Sequence, residues 1–336
     1  MKLTSVLACA GLAIASQFTL AQEGVIGPID EVKKENLVET IQSLPPNRTG
    51  YGNEGQRRVL RQTENMLIER VKGMGIEPDV QNIFWNANVL IERTSPRPRV
   101  EFRNVIFEIP GTENPDRFMV IAAHFDTVPN TPGADDNATG VAALFEIARL
   151  VQADPRPIGV MFCLYNLEEI GIMGSRDHFR EELKPMLDRG ERELVGMLSL
   201  DMLGYYSDEE GSQTSPIPSI PGEYEPPTKG DFISLVTIAR HAEFNKKLAD
   251  AMQSASDTPG VFRFDFLEFV TPDVVRSDHA PFLLDGYDAV MVTDTANFRN
   301  PHYHQAGDTI ETLDLDRLTG VTKQLVNAVW VLTQNE

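Results

Sequence analysis

The strongest constraint on the fold is a repeat of short, wholly apolar runs, two of them followed by segments of helical spacing. Residues 119–123, 158–165, 194–200 and 289–292 have the length and character of strands buried on both faces. Apolar periodicity over 141–151 and a polar helical stretch over 175–188 fill the first two intervals. Strand, helix, strand, helix, strand is the pattern of a parallel sheet, because each crossover helix returns the chain to the same starting edge. The expected fold is α/β, a single three-layer domain with a mixed, mostly parallel central sheet flanked by helices. A chain of 336 residues, 41% hydrophobic and 24% charged, suits one large globular domain of this kind.

The rest of the chain fits around that sheet. A moderate helical pattern over 29–44 ends at Pro45-Pro46, and a clearer one over 54–72 stops near Gly73 and Gly75. Residues 80–91 and 101–108 read as strands, and 111–117 as the turn before the first buried run. Residues 204–230, rich in Gly, Ser, Pro and Tyr, lack periodicity and read as a loop insertion of the lid or rim type. Order resumes with a segment at 232–239, a helix at 243–256, a strand at 261–269 and a C-terminal helix at 315–332. Asn47-Arg48-Thr49 matches a glycosylation acceptor, a pattern that also arises by chance.

Lys2, an apolar core over 7–20 and small residues near Ala21 read as a signal peptide over 1–21. The expected location is therefore periplasmic or extracellular, with 22–50 as an N-terminal segment that maturation could remove and 51–336 as the catalytic domain. The formal charge of −20 grows by one unit when Lys2 leaves with the leader. So acidic a surface repels nucleic acid and, once the leader is cleaved, anionic membrane. Cys9 also leaves, so Cys163, inside an apolar run, has no partner for an internal disulfide.

Chemistry-bearing residues gather where the buried runs end. His124, Asp136, Glu168-Glu169, Asp201 and His304 each lie just beyond a separate run or on the turn that follows. In a parallel sheet those exits share one edge, so the residues can meet. Carboxylates and imidazoles without cysteine suit Zn²⁺ in a hydrolytic site, with Mn²⁺ or Co²⁺ as substitutes. Five ligands exceed one tetrahedral zinc and suit two ions sharing a carboxylate, about 3.5–4 Å apart. A Glu-Glu pair can then provide one ligand and one general base. Asp135 and Asp136 compete for the bridge, and His302 competes with His304. Asp278 and His279 could frame a substrate pocket or cap a helix.

Taken together, these residues resemble the di-zinc exopeptidases of metallopeptidase family 28. The resemblance rests on His124-Phe125-Asp126, the run from Pro132 to Gly140, Glu168-Glu169 with Gly171 and Gly174-Ser175, Asp201-Met202, Ser277-Asp278-His279, and Tyr303-His304 with Asp308-Thr309. It covers roughly residues 50–334. It implies a zinc-exopeptidase, phosphorylase/hydrolase-like fold with two zinc ions. His124, Asp136 and Asp201 would hold one ion, and Asp136, Glu169 and His304 the other. Glu168 would be the general base, Asp126 the carboxylate orienting His124, and Tyr303 a stabiliser of the oxyanion. A cis peptide between Asp136 and Asn137 is implied as well. Gln305 and Thr139 depart from the commonest residues of the pattern, and neither removes a ligand.

The implied activity is that of an aminopeptidase acting on peptides. Glutaminyl cyclase, with one zinc, is the nearest rival, but those enzymes resemble one another in having Trp where Tyr303 stands. A carboxypeptidase needs a cationic anchor, and no basic cluster adjoins the motifs in the sequence. An inactive binding ectodomain is disfavoured by the complete ligand set.

Overall fold

The computed structural model describes residues 27–85, 100–219, 225–266 and 272–335. The expected leader, residues 86–91 of the strand expected over 80–91 and residues 267–269 of that expected over 261–269 lie outside these segments. The strands are β1 (Asp79–Trp85), β2 (Val100–Ile109), β3 (Asn114–His124), β4 (Ile158–Tyr165), β5 (Glu193–Leu200), β6 (Phe232–Ile238), β7 (Gly260–Phe266) and β8 (Ala289–Thr293). They form one sheet in the order β1-β2-β4-β3-β5-β8-β6-β7. β4, β3, β5 and β8 run parallel, and β7 is parallel to β6. Antiparallel pairings join β1 to β2, β2 to β4, and β6 to β8. The mixed, mostly parallel sheet is thus present, with four parallel exits side by side.

The helices are α1 (Lys34–Ser43), α2 (Glu54–Gly73), α3 (Gly140–Ala153), α4 (Met173–His178), α5 (Lys184–Asp188), α6 (Ala242–Gln253), α7 (Ala280–Leu284) and α8 (Leu315–Leu332). Strand alternation sends side chains to two cores. Met119, Ile121 and Ala123 of β3, with Val160, Phe162 and Leu164 of β4, meet α2, α3, α6 and α8. Their neighbours Phe118, Val120, Ala122, Met161, Cys163 and Tyr165 meet Phe179, Leu183, Phe282 and Leu283 on the other face. Two apolar faces explain why these strands read as continuous runs. Phe162 stacks on Phe107 with ring centroids 5.1 Å apart, and truncating it to Ala should cost about 3–5 kcal/mol.

One local expectation changes. Residues 111–117 are not only a turn: β3 begins at Asn114, with a register irregularity between Asn114 and Phe118. The helix expected over 175–188 is present as α4, a π-helical stretch over Phe179–Leu183 and α5, with right-handed helical backbone at each junction. Pro185 near the start of α5 has no N–H to give, which suits the wider helical spacing just before it.

The N-terminal segment packs into the first core through Leu37 and Ile41 of α1. The described part of 204–230 lacks regular elements, as expected, but an isolated bridge pairs Ser207 with Gly230. Among the described residues no helix is long and apolar enough to cross a membrane.

Candidate active site

The shared edge brings the expected residues together. His124 ends β3, Asp201 follows β5, Glu168 and Glu169 open a short 3-10 turn after β4, and His304 lies in the loop after β8. Asp136 sits in the wide turn Ala134–Thr139 that leads into α3. Its peptide bond to Asn137 is cis. His124 Nε2 lies 3.3 Å from Asp136 Oδ1 and 3.5 Å from Asp201 Oδ1. His304 Nε2 lies 3.2 Å from both Asp136 Oδ2 and Glu169 Oε2. The result is two triads, His124/Asp136/Asp201 and Asp136/Glu169/His304, with ligand-type atoms of each within 4.8 Å of one another. One carboxylate oxygen of Asp136 serves each triad.

Backbone contacts hold this arrangement. Asn137 Nδ2 donates to Leu200 O at 2.8 Å, while its Oδ1 accepts from the N–H of Gly140 and of Met202. The amide side chain therefore caps the start of α3 and ties it to the exit of β5. Gly133 takes the left-handed conformation, φ +71°, that starts the turn. Leu167, Met202 and His304 also have positive φ, costly for non-glycine residues and concentrated here beside the site. Asp126 accepts the N–H of Glu168 at 3.0 Å and of Glu169 at 3.3 Å. Its Oδ1 lies 3.7 Å from His124 Nδ1, whose closer acceptor is the Asp126 backbone oxygen at 3.3 Å. Asp126 thus faces the imidazole while gripping the Glu-Glu turn more tightly.

The local electrostatics call for positive charge. Burial lowers the His124 pKa, but Asp126, Asp136 and Asp201 outweigh it and hold the imidazole well above its ordinary value. Burial likewise opposes Asp136 and Glu169 at His304, which still rises to about 10. Burial, then Asp136, pushes Glu169 up to about 7. Glu168 is raised well above the carboxylate range, by burial first and by Asp201, Glu169 and Asp278 against the opposing His124. Glu169 Oε1 is buried without a hydrogen-bond partner. Imidazoles forced to hold protons among carboxylates fit a pair of divalent cations, which would supply that charge. The donor set, nitrogen and oxygen without sulfur, suits zinc.

The competing residues are placed elsewhere. Asp135 turns away, accepting from Gly204 N at 2.9 Å and Asn300 Nδ2 at 2.8 Å. His302 packs edge-on against Tyr205 and joins neither triad. His279 Nε2 bonds the Val274 carbonyl at 2.7 Å, a structural role, and burial lowers its pKa to about 4. Asp278 is fully buried, and burial foremost raises its pKa to about 7. The Tyr303 ring stacks on His304 with centroids 3.8 Å apart.

Three arginines carry weight that the sequence did not reveal. Arg48 is fully buried and donates to the carbonyls of Pro45, Phe125, Pro132 and Gly133, lacing the β3 exit to the Asp136 turn. Burial brings its pKa down to about 10, opposed first by Asp308 and Asp136. Arg299 binds Gln213 Oε1 at 2.8 Å and Phe232 O at 2.7 Å, fastening the insertion to the sheet. Arg276 Nη2 lies 2.9 Å from Tyr303 Oη. None belongs to a periodic pattern, and no spacing rule marks such residues. The one signal was Arg48 between Pro-Pro and Gly, which the glycosylation match obscured.

A cleft opens on the triads. Val236, Phe264, Phe266, Met291 and Phe298 give it an apolar floor, and Gln213, Thr214, Ser215 and Pro216 of the insertion form one wall.

The model of peptidase family M28 matches residues 104–329. The chain belongs to that family. It is therefore related to peptide hydrolases, in accord with the resemblance carried by its motifs. It is 31% identical over 242 residues to the uncharacterized protein YfbL of Escherichia coli, covering 68% of this chain and 71% of that protein. It is 26% identical over 304 residues to a probable leucine aminopeptidase of Trichophyton verrucosum, covering 86% and 70% of the two chains. Among solved structures, the aminopeptidase from Aneurinibacillus sp. strain AM-1 superposes with a TM-score of 0.67 at 16% identity, covering 92% of this chain and 96% of that one. At that identity the last comparison speaks for the fold.

Proposed function

We propose that this M28 peptidase is an exported aminopeptidase that holds two zinc ions and removes apolar residues from peptide N-termini. The observation that carries the reading is the pair of triads sharing Asp136, with Glu168 beside them and committed to neither. His124, Asp136 and Asp201 would hold one ion, and Asp136, Glu169 and His304 the other. Zinc bound there supplies Lewis-acid polarisation of the scissile carbonyl and a water of lowered pKa. Glu168, with its raised pKa, takes a proton from the attacking water and returns it to the leaving amine nitrogen. Asp126 keeps Glu168 aimed by holding its N–H, and faces His124 to fix the ring. The Tyr303 phenol donates to the developing oxyanion.

The apolar floor of the cleft supports a preference for large aliphatic or aromatic N-terminal residues. Export rests on the leader-like residues 1–21. Residues 27–50 stay with the working enzyme in this reading, because removing Leu37, Ile41 and Arg48 would uncover the core and unlace the site.

Elemental analysis of the purified protein should find about two zincs per chain, and one tightly bound zinc would favour the cyclase. Glu168→Gln should keep that metal while lowering hydrolysis of leucyl-p-nitroanilide by roughly 10³-fold or more, in the range of lost general-base catalysis. Near-normal turnover would remove Glu168 from the mechanism. Faster cleavage of glutamyl- than leucyl-p-nitroanilide would contradict the apolar floor.

A further inference from the structure

Tyr303 and Arg276 both line the cleft, and Arg276 is the hydrogen-bond partner that the described residues give the Tyr303 oxygen. A phenol has one hydrogen to donate and accepts through its lone pairs, whereas a guanidinium only donates. The 2.9 Å contact therefore runs from Arg276 Nη2–H to Tyr303 Oη, and the phenol hydrogen must point elsewhere. We infer that Arg276 is a positioning residue that fixes Tyr303 as a hydrogen-bond donor into the cleft. This rests on the aminopeptidase reading above and deepens it.

The guanidinium is itself held. Its Nη1 donates to Asn297 Oδ1 at 2.6 Å and lies 3.5 Å from Asp273 Oδ1. The next residue, Ser277, has its hydroxyl 3.0 Å from that of Ser199 on β5, the strand that delivers Asp201. Arg276 is thus registered to the same strand as one triad. The ring of Tyr303, stacked on His304, is registered to the other. A cation beside Oη also polarises the O–H bond, which strengthens donation to an oxygen gaining negative charge.

The test is a double-variant cycle on zinc-loaded protein, with zinc content and melting temperature checked for each variant. Tyr303→Phe should lower kcat by roughly 10²-fold, the scale of losing one oxyanion donor. Arg276→Met should lower kcat by roughly 10-fold or more with KM nearly unchanged, as for residues that orient a reacting group. Combining them should give no further loss beyond about 2-fold, because Arg276 acts through the phenol. Arg276→Lys, which keeps a cationic donor, should fall between wild type and Arg276→Met. A second readout needs no turnover: Arg276→Met should weaken binding of leucine boronic acid, a tetrahedral mimic, more than binding of leucine. Multiplying losses in the double variant would overturn the inference, as would a raised KM at intact kcat or a lysine no better than methionine. Wild-type protein with its zinc that cleaves no aminoacyl-p-nitroanilide would instead overturn the proposed function.

Discussion

Two carboxylate clusters adjoin one another at the sheet edge, and their charge is met in opposite ways. Asp135, Asp294 and Asp308 form the inner cluster. Gly204 N donates to Asp135, Tyr205 N and Ala296 N donate to Asp294, and the N–H groups of Asp135 and Asp136 donate to Asp308. Arg48 and Arg299 add positive charge close by. The outer cluster of Asp136, Glu169 and Asp201 faces the cleft and has two imidazoles in place of guanidinium groups. Adjacent residues of one type therefore take different work: Asp135 closes the fold and Asp136 opens onto the chemistry. Hydrogen-bond saturation, not residue type, separates them.

The largest expected effect would break that distinction outright. Asp136→Ala should strip the metal below one ion per chain and lower activity by roughly 10³-fold or more, since both triads lose an oxygen. Asp135→Asn should retain two ions and lose no more than roughly 10–100-fold, the scale of an outer-shell change. Metal analysis giving the reverse pattern would exchange their roles.

Next in size is the inner cluster's dependence on its buried cation. Arg48→Met leaves four carbonyls short of a donor and uncovers Asp308 and Asp136. Urea unfolding should show a loss of about 3–5 kcal/mol, as for breaking a buried charge network. An unchanged midpoint would show that the lacing is dispensable.

The smallest effect concerns a buried histidine that belongs to neither cluster. Tyr165 Oη lies 2.9 Å from His178 Nδ1, and burial holds the His178 pKa down to about 3. The folded pKa is below the unfolded one, so the unfolded chain binds the extra proton. Stability from this group is complete above about pH 6.5 and falls as the pH drops toward 3. In metal-free protein, His178→Gln should flatten the acid limb by up to about 1.4 kcal/mol per pH unit. Parallel limbs for the two proteins would mean that His178 takes up its proton while folded.

Most of the sheet was legible because its strands are buried on both faces, and 158–165 and 315–332 match their expected bounds. The convergence at the edge was legible for the same reason: parallel strands with polar residues at their exits share an end. Arg48, Arg276 and Arg299 were not, because each acts through contacts with residues far along the chain. Arg48 reaches Gly133 and Arg299 reaches Gln213 through folding that no local period encodes.

Gly140, where α3 meets the end of β5, has a consequence for engineering. Helix-propensity rules favour Ala over Gly by about 1 kcal/mol, so a stability scan would select this position early. A methyl group there would run into the Leu200 carbonyl and the Asn137 side chain. The helix would have to back away from the strand, carrying Asp136 away from Asp201. A substitution recommended by the local chain would thus lengthen the reach of the active site, and libraries built to toughen this fold should leave that glycine fixed.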